Sequence, residues 1–284
     1  MKAIINQLVQ LQELHLSRRE QEAGTPGADL KQLDDSIAEM MANLPPEVET
    51  QFSRLLQKNP LAIVPAVEGT DKSYICTGCG MKLPISLKPQ VVAAGRICTC
   101  PSCARILFHS EGGARNTRKR GGHRTAPKVG IERFSVEELM IPALKATDRK
   151  GVVLELASRM RDAGFVDNAE KLAEDALSRE AIVSTSVGNG VAFPHVRCVE
   201  GGALTLALGL SPEGIAFDAA HPAEKTNIFF FMVIPTAASA FYLKLLAGLS
   251  GIFQEEAARR KILDCTTPAA LWKTLVALTK KALA

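Results

Sequence analysis

Two pairs of cysteines have the spacing in this chain that most directly suggests chemistry. Cys76 and Cys79 form one C-x2-C pair, Cys100 and Cys103 form a second, and 20 residues separate the two pairs. This spacing is typical of four-cysteine zinc sites, in which each pair lies on a tight turn and offers two sulfur ligands to a tetrahedral ion. Four thiolates leave no position open for a substrate, so we expect a structural Zn²⁺. A C-x-C alternative, in which Cys98 replaces one ligand, is less favoured.

The cysteine segment is too short to fold around a hydrophobic core of its own. It has about 35 residues, so the metal would supply much of its folding free energy. We expect Gly78 and Gly80 to provide the unusual backbone angles of the first cysteine turn. His109 follows the second pair closely and is a further, unneeded candidate ligand.

His195 is the second candidate for chemistry, and it ends a short apolar run. A Gly-Asn-Gly turn precedes the run, and Pro194 restricts the backbone immediately before the histidine. We expect this strand end to hold the imidazole rigidly in a solvent-reachable cleft, where the neutral ring can act as a nucleophile near pH 7. On these residues alone, a structural histidine is an equally good interpretation.

The 284 residues suggest two domains and a small extra module. A hydrophobic share of 46% and a charged share of 23% are those of a globular protein and exclude wholesale disorder. We predict a helical hairpin or short coiled coil over residues 1–60, a zinc ribbon over 61–110, a flexible basic linker over 111–131 and an α/β domain over 132–284. In the last part strands are mixed with helices of 10–15 residues, which predicts a mixed sheet flanked by helices.

The N-terminal part shows helical periodicity with a narrow apolar stripe. Ile4, Leu8, Leu11 and Leu14 recur at spacings of four and three, which places them on one helix face. Because so narrow a stripe buries little surface alone, we predict that these helices pair with a second copy of the chain.

The predicted linker concentrates the positive charge of the chain. Residues 112–130 hold six Arg and Lys residues and no acid, against a net charge of +4 for the whole chain. The run is interpreted as a soluble tether, or alternatively as a patch over residues 115–128 that contacts nucleic acid weakly. We identify no signal peptide and no apolar stretch of ~20 residues, so we expect a cytoplasmic protein with reduced thiols and no membrane partner.

The stretch CTGCGMKLPISLKPQVVAAGRICTCPSCARILF, from Cys76 to Phe108, resembles a bacterial four-cysteine zinc-ribbon family. Family members carry the pattern C-x2-C, then a Met/Leu-Pro segment, then C-x2-C-x-R-I-L-[YF], after an N-terminal helical hairpin. The resemblance implies a structural zinc ion behind a coiled coil, although the family's coiled coil is usually much longer than the one here. Nucleic-acid binding is suggested for the family, and Tyr74 and Phe108 are the aromatic side chains of this copy that could stack on bases.

Residues 134–280 resemble the enzyme IIA family of the bacterial sugar phosphotransferase system, in its fructose, mannitol and nitrogen-regulatory branch. The motifs that carry the resemblance are RE at 179–180, ST at 184–185, GNGVAFPH at 188–195, LALGLSPEGIAFD at 206–218 and LKLLAGLS at 243–250. The resemblance implies a phosphocarrier domain. In the family, the matching histidine takes a phosphoryl group from the carrier protein HPr and passes it to a sugar-specific domain.

The resemblance also implies roles for individual residues. His195 would be phosphorylated, and Arg179 matches the active-site arginine, whose planar fork suits a phosphate. Thr185 or Ser184 would donate a hydrogen bond to a phosphate oxygen, and Arg197 is a candidate second cation on the same strand face as the histidine.

Tyr242 departs from the family pattern, since many members carry a second histidine there. A phenol can still donate a hydrogen bond but carries no titratable charge near neutral pH. Our first hypothesis is a regulatory phosphocarrier, phosphorylated by an HPr-like donor, whose two charge states bind protein partners differently. The alternative is a non-catalytic adaptor, in which a zinc ribbon recruits nucleic acid or protein beside a degenerate enzyme IIA domain.

Overall fold

The computed structural model describes residues 1–25, 27, 29–69, 73–110, 129–199, 203–235 and 238–282. The basic run at 115–128, interpreted as a soluble tether or alternatively as a patch that contacts nucleic acid weakly, lies outside them. The chain divides into two compact units. The first unit comprises Met1–Glu22 and Pro26–Gly113, and the second comprises Ala23–Thr25 and Ala114–Ala284.

The first unit contains three N-terminal helices, α1 (Lys2–Gly24), α2 (Lys31–Ala42) and α3 (Pro46–Lys58). Helix α3 starts with a proline at its first position and glutamates in its first turn, both of which favour a helix N-terminus. The apolar stripe of α1 is buried in a cluster with residues of α2, α3 and the strand that follows them; these residues include Leu8, Leu11, Ile37, Phe52 and Ile63. The stripe therefore finds its partner within its own chain, and the structure does not support the predicted homodimer.

The remainder of the first unit is a small four-stranded sheet. Its strands are β1 (Ile63–Glu68), β2 (Tyr74–Cys76), β3 (Cys98–Thr99) and β4 (Ile106–His109), in the spatial order β2-β1-β4-β3. Helix α4 (Leu87–Ala93) lies between β2 and β3 in the chain. The central pair β1 and β4 is parallel, and the two outer pairings are antiparallel.

The buried side chain of Gln12 joins helix α1 to this sheet. Its Oε1 atom accepts hydrogen bonds from the backbone N–H groups of Ala62 and Ile63, at 2.7 and 2.8 Å. Its Nε2 atom donates to the carbonyl of Ile63 at 2.8 Å. One amide thus satisfies three backbone groups at the entry to β1, which fixes the helix against the cysteine-bearing sheet.

The second unit contains a mixed sheet flanked by helices, as predicted. The sheet order is β5-β8-β9-β6, and β7 also pairs with β9. The strands are β5 (Met140–Ile141), β6 (Val191–Ala192), β7 (His195–Val199), β8 (Thr205–Ala216) and β9 (Lys225–Pro235). The helices are α5 (Arg149–Asp162), α6 (Ala169–Glu180), α7 (Ser239–Phe253), α8 (Glu256–Leu263) and α9 (Pro268–Thr279).

The long strand β9 forms the centre of this sheet. Its residues 228–234 are fully buried, as expected for a strand that is covered on both faces. Strand β7 runs parallel to it, with His195 opposite Met232. Helix α6 packs against β7, and α7 packs against β9. Tyr242, in the first turn of α7, contacts His195 at the start of β7.

Two segments of the second unit contain no regular strand or α-helix. Residues 181–185 form an irregular turn after α6, in which the N–H of Thr185 donates to the Glu180 side chain. Residues Glu137–Leu139 form a single 3-10 turn. Among the described residues, none of the helices combines the length and apolar character that a membrane span requires.

Candidate functional site

The four cysteines of the two pairs meet at one point of the first unit. The sulfur atoms of Cys76, Cys79, Cys100 and Cys103 all lie within 4.8 Å of one another. Two of the distances between the pairs are 3.8 Å, from Cys76 to Cys103, and 3.7 Å, from Cys79 to Cys100. Four sulfurs at ~2.3 Å from a tetrahedral ion are about 3.8 Å apart, so the donor set and its size are compatible with a metal site.

Each cysteine pair lies on the same type of tight turn. The N–H of Gly80 donates to the carbonyl of Cys76 at 2.8 Å, and the N–H of Ala104 donates to the carbonyl of Cys100 at 2.9 Å. Gly80 and Ala104 are both in the left-handed region, with φ of 74° and 61°. The expectation for Gly80 is therefore confirmed.

The expectation for Gly78 is not met, because its φ is not in the left-handed region. A β-carbon there would make tight contacts, at 3.0 Å from Cδ of Arg105 and 3.2 Å from Cγ1 of Val64. A larger residue at this position would therefore require these two side chains to shift by a few tenths of an ångström.

Arg105 holds the two cysteine turns together. Its guanidinium donates to the carbonyls of Leu61 and Gly78, at 3.0 and 3.1 Å, and to Oδ1 of Asn59 at 2.7 Å. Burial raises the pKa of the Cys103 thiol, but hydrogen bonds with the backbone and side chain of Arg105, together with those of Cys100 and Cys79, outweigh this effect and bring the pKa to about 7. Burial also raises the pKa of Cys76, and hydrogen bonds with the backbone of Cys79 and Gly78 offset this effect only in part.

The other two candidate ligands lie outside this cluster. Cys98 is buried among apolar residues of the small sheet, and its sulfur contacts the carbonyl of Arg96 at 3.8 Å. The Nδ1 atom of His109 lies 3.2 Å from the hydroxyl of Tyr74. The four residues of the two C-x2-C pairs are thus the cysteines that the fold brings together.

The imidazole of His195 has two polar neighbours at Nδ1. The carbonyl oxygen of Phe193 lies 3.0 Å from Nδ1, and the hydroxyl of Tyr242 lies 3.2 Å from it. A carbonyl can only accept a hydrogen bond, so this contact favours the tautomer that carries its proton on Nδ1. In that tautomer Nε2 keeps its lone pair, which makes Nε2 the nucleophilic atom of the ring.

The structure corrects the expectation of an open cleft, because the His195 side chain is only 1% exposed. Its surroundings are nevertheless not purely apolar, since a carbonyl and a phenol contact the ring. The ring of Tyr242 packs against the imidazole, with centroids 5.2 Å apart. A reaction at His195 therefore requires the site to open.

The two arginines predicted around His195 lie on neighbouring elements. Arg179 is near the end of α6, which packs against β7, and its Nη1 donates to the carbonyl of Val183 at 2.9 Å. Arg197 follows His195 by two residues in β7, and it therefore lies on the same strand face. That both cations contact phosphate stays a prediction.

Thr185 and Ser184 lie beside a carboxylate that the sequence reasoning did not include. The hydroxyl of Thr185 donates to Oε2 of Glu180 at 2.6 Å, and the hydroxyl of Ser184 donates to Oε1 at 3.1 Å. Their predicted role as phosphate donors would require these hydroxyls to leave Glu180. The sequence signal for Glu180 is its place in the RE motif, directly after Arg179.

Comparisons with known proteins concern the second unit. Residues 134–277 match the family described as "Phosphoenolpyruvate-dependent sugar phosphotransferase system, EIIA 2". The "PTS system fructose-specific EIIA component" of Haloferax volcanii is 32% identical over 134 residues, which cover 47% of this chain and 82% of that protein. A "Nitrogen regulatory protein" of Bradyrhizobium diazoefficiens is 25% identical over 138 residues, covering 49% of this chain and 89% of that protein.

A solved structure matches about half of the chain. The nitrogen regulatory protein IIA-Ntr from Neisseria meningitidis aligns with 50% of this chain and 96% of its own, at 22% identity and a TM-score of 0.45. For the first unit, the zinc-ribbon resemblance is supported by the four-cysteine cluster alone. Through residues 134–277, this chain belongs to the EIIA 2 family of the phosphoenolpyruvate-dependent sugar phosphotransferase system.

Proposed function

We propose that the second unit is a phosphocarrier in which His195 accepts a phosphoryl group from an HPr-like donor protein. The observation that carries this proposal is the 3.0 Å contact between Nδ1 of His195 and the carbonyl of Phe193. This contact favours the tautomer in which Nε2 carries the lone pair that attacks, at the histidine that ends the family's PH motif. Family membership over residues 134–277 supports the same reaction class.

The transfer step makes one bond and breaks one bond. The lone pair on Nε2 attacks the phosphorus of the phosphorylated donor while the bond between phosphorus and the donor breaks, and that electron pair stays on the donor. The proton stays on Nδ1, which donates a hydrogen bond to the carbonyl of Phe193. Arg179 and Arg197 are the cations that we assign to the equatorial phosphate oxygens.

The burial of His195 adds a conformational step to this reaction. A ring that is 1% exposed cannot meet a protein donor, so the site must open before transfer. Phosphorylation then places about −1.5 to −2 charges in a closed site near Arg179 and Arg197. Such a change is sufficient to alter which surface the domain presents, and we propose that the two states bind regulatory protein partners differently. The similarity to nitrogen regulatory proteins supports a regulatory role.

We further propose that Cys76, Cys79, Cys100 and Cys103 hold a structural Zn²⁺ in the first unit. The near-tetrahedral spacing of the sulfurs and the paired turns support this assignment. When bound, zinc would join the two turns at one side of the apolar cluster of the small four-stranded sheet. Four reduced thiolates are in keeping with a cytoplasmic location, which we also propose.

The test is phosphorylation by a labelled HPr-like donor in the presence of its phosphorylating enzyme. We expect acid-labile phosphate on the wild type, none on His195→Ala, and wild-type labelling of His221→Ala. His221 is the matched control because it is an exposed histidine of the same domain, hydrogen bonded to Asp218 at 3.1 Å. Equal labelling of all three proteins would refute the assignment to His195. No labelling of the wild type, with a donor that labels a known enzyme IIA protein in the same reaction, would refute phosphoryl transfer.

The adaptor hypothesis is the second candidate, and the closed state of His195 together with Tyr242 favours it. In this alternative the domain has kept the fold but does not transfer phosphate, and the first unit recruits a partner. The phosphorylation experiment separates the two, because an adaptor would remain unlabelled by every donor while keeping its zinc.

A further inference from the structure

Glu180 is a buried carboxylate at the end of helix α6, and its side chain is the centre of a compact hydrogen-bond cluster. The residue is 4% exposed. Its Oε1 accepts from the backbone N–H of Thr185 at 2.8 Å and from the Ser184 hydroxyl at 3.1 Å, and its Oε2 accepts from the Thr185 hydroxyl at 2.6 Å. Three donors converge on one carboxylate, which fixes the position of Thr185.

The backbone of Thr185 passes this constraint to the strand that carries His195. Residues 185–187 and 191–193 form a tight hairpin, in which Ser186 is bridged to Ala192. The N–H of Phe193 donates to the carbonyl of Thr185 at 3.0 Å. The carbonyl of the same Phe193 is the group that lies 3.0 Å from Nδ1 of His195. A continuous series of contacts therefore leads from the carboxylate to the imidazole.

The turn of this hairpin has a restricted backbone, so the turn cannot easily adjust if the hydrogen bonds at the open end of the hairpin are lost. Gly188, Asn189 and Gly190 are three consecutive residues with left-handed φ values of 79°, 53° and 73°. A β-carbon on Gly190 would lie 3.0 Å from Oδ1 of Asn227, so the turn is also confined by the neighbouring strand. The position of the hairpin is thus set at its open end, where the carbonyl of Thr185 binds the N–H of Phe193.

The location of Glu180 is unfavourable by local criteria. The C-terminal end of a helix carries a partial negative charge, which disfavours a carboxylate there, and burial of that carboxylate adds a desolvation cost. Locally unfavourable residues are expected where function requires them.

We propose that Glu180 is a positioning residue for phosphoryl transfer: through Thr185 and Phe193 it fixes the carbonyl that holds the Nδ1 proton of His195 and so keeps Nε2 available. This inference rests on the proposed function of His195. Glu180 acts here by the reach of its two oxygen atoms and not by its charge. The hydroxyl of Thr185 belongs to this support and not to the phosphate contacts.

The test compares two conservative variants that separate reach from charge. Glu180→Gln keeps the reach and loses the charge, since its amide oxygen can accept from the Thr185 N–H and its amide nitrogen can donate to the Thr185 hydroxyl. Glu180→Asp keeps the charge, but its oxygens are withdrawn by one methylene. Ser135→Ala is the matched control, because it removes another buried hydrogen bond of the same domain, from the Ser135 hydroxyl to the carbonyl of Leu206 at 2.7 Å.

Two readouts are needed, and one of them does not depend on phosphorylation. Long-range ¹H–¹⁵N spectra of protein labelled with ¹⁵N-histidine report the tautomer of His195, assigned by its disappearance in His195→Ala. The rate of labelling by the phosphorylated donor reports transfer. We expect Glu180→Asp to populate the Nε2–H tautomer and to slow labelling roughly 10- to 100-fold, the cost of a misplaced reacting group. Glu180→Gln and Ser135→Ala should keep the wild-type tautomer and stay within about 3-fold of its rate.

The opposite pattern would overturn the inference. If Glu180→Gln is as slow as Glu180→Asp with the tautomer unchanged, the charge acts directly and positioning is wrong. If Glu180→Asp keeps both the tautomer and the rate, the series of contacts has no function. If the wild type is never labelled, the proposed function fails, but the tautomers of the variants still decide whether Glu180 sets the state of the His195 ring.

Discussion

Replacing Gln12 with alanine should lower the free energy of unfolding of the first unit by more than the loss of one ordinary hydrogen bond would. Gln12 is 2% exposed, and its amide satisfies two N–H groups and one carbonyl at the entry to β1. These backbone groups belong to Ala62 and Ile63, which are fully buried. Water therefore does not easily replace the lost amide as a hydrogen-bond partner. An orphaned buried backbone group costs ~1–3 kcal/mol, and the low end for three groups gives about 3 kcal/mol. That is a large part of the stability of a small domain.

The assay is urea unfolding of the zinc-loaded chain, with a separate probe for each unit. With a slope of about 2 kcal/mol per M, a loss of 3 kcal/mol lowers the midpoint of the first unit by roughly 1.5 M. Release of zinc to a colorimetric chelator follows the first unit. The fluorescence of Trp272, the single tryptophan of the chain, follows the second unit and should not change.

Gln7→Ala is the matched control for this prediction. Gln7 lies on the same helix and is half-buried, but it makes one hydrogen bond, from its Nε2 to the carbonyl of Met40 at 2.9 Å. We expect a loss of at most about 1 kcal/mol from this change. Equal midpoints for the two variants would refute the reasoning, because they would mean that the three groups at Gln12 find other partners at no cost.

Three further predictions follow from the two units. Chelation of zinc, or the substitution Cys100→Ser, should unfold the zinc ribbon, which circular dichroism would detect, and leave the fluorescence of Trp272 unchanged. A ribbon that stays folded without metal would contradict the zinc assignment. Burial, reinforced by Arg19 and Arg18, holds the pKa of His15 below its usual 6.5, so stability of the first unit should be complete above about pH 6.5 and fall below it. His15→Gln should lose that pH dependence in urea unfolding at pH 5 to 7. Tyr242→His, which restores the family's second histidine, should speed labelling of His195 by the donor, and an unchanged rate would show that this position does not limit transfer.

Much of the site could be predicted from the sequence where the geometry is local. The C-x2-C turns need only a few neighbouring residues, so their spacing predicted the four-cysteine cluster that the structure contains. The long apolar runs of β8 and β9 and the helices α5, α6 and α9 also follow from periodicity within single segments. The family of residues 134–277 could be identified because its motif surrounds the histidine within one continuous stretch.

Contacts between distant segments could not be predicted in the same way. Gln12 binds groups that lie about 50 residues away in sequence, and Tyr242 contacts a histidine 47 residues before it. The amphipathic stripe of α1 suggested a second chain, because a one-dimensional pattern shows that a face must be buried but not what covers it. The closure of His195 and the support from Glu180 depend on several elements packing together at once.

Residue types and their spacing are enough to identify the candidate groups of this chain, which are four thiols in two turns and one imidazole directly after a proline. Packing sets the surroundings of these groups, including the burial of His195, the carbonyl and the phenol at its Nδ1, and the hydroxyls that Glu180 binds. Residue types and short turns are local properties of the chain, whereas hydrogen-bond partners and access to solvent are set by whichever distant segments the fold brings alongside.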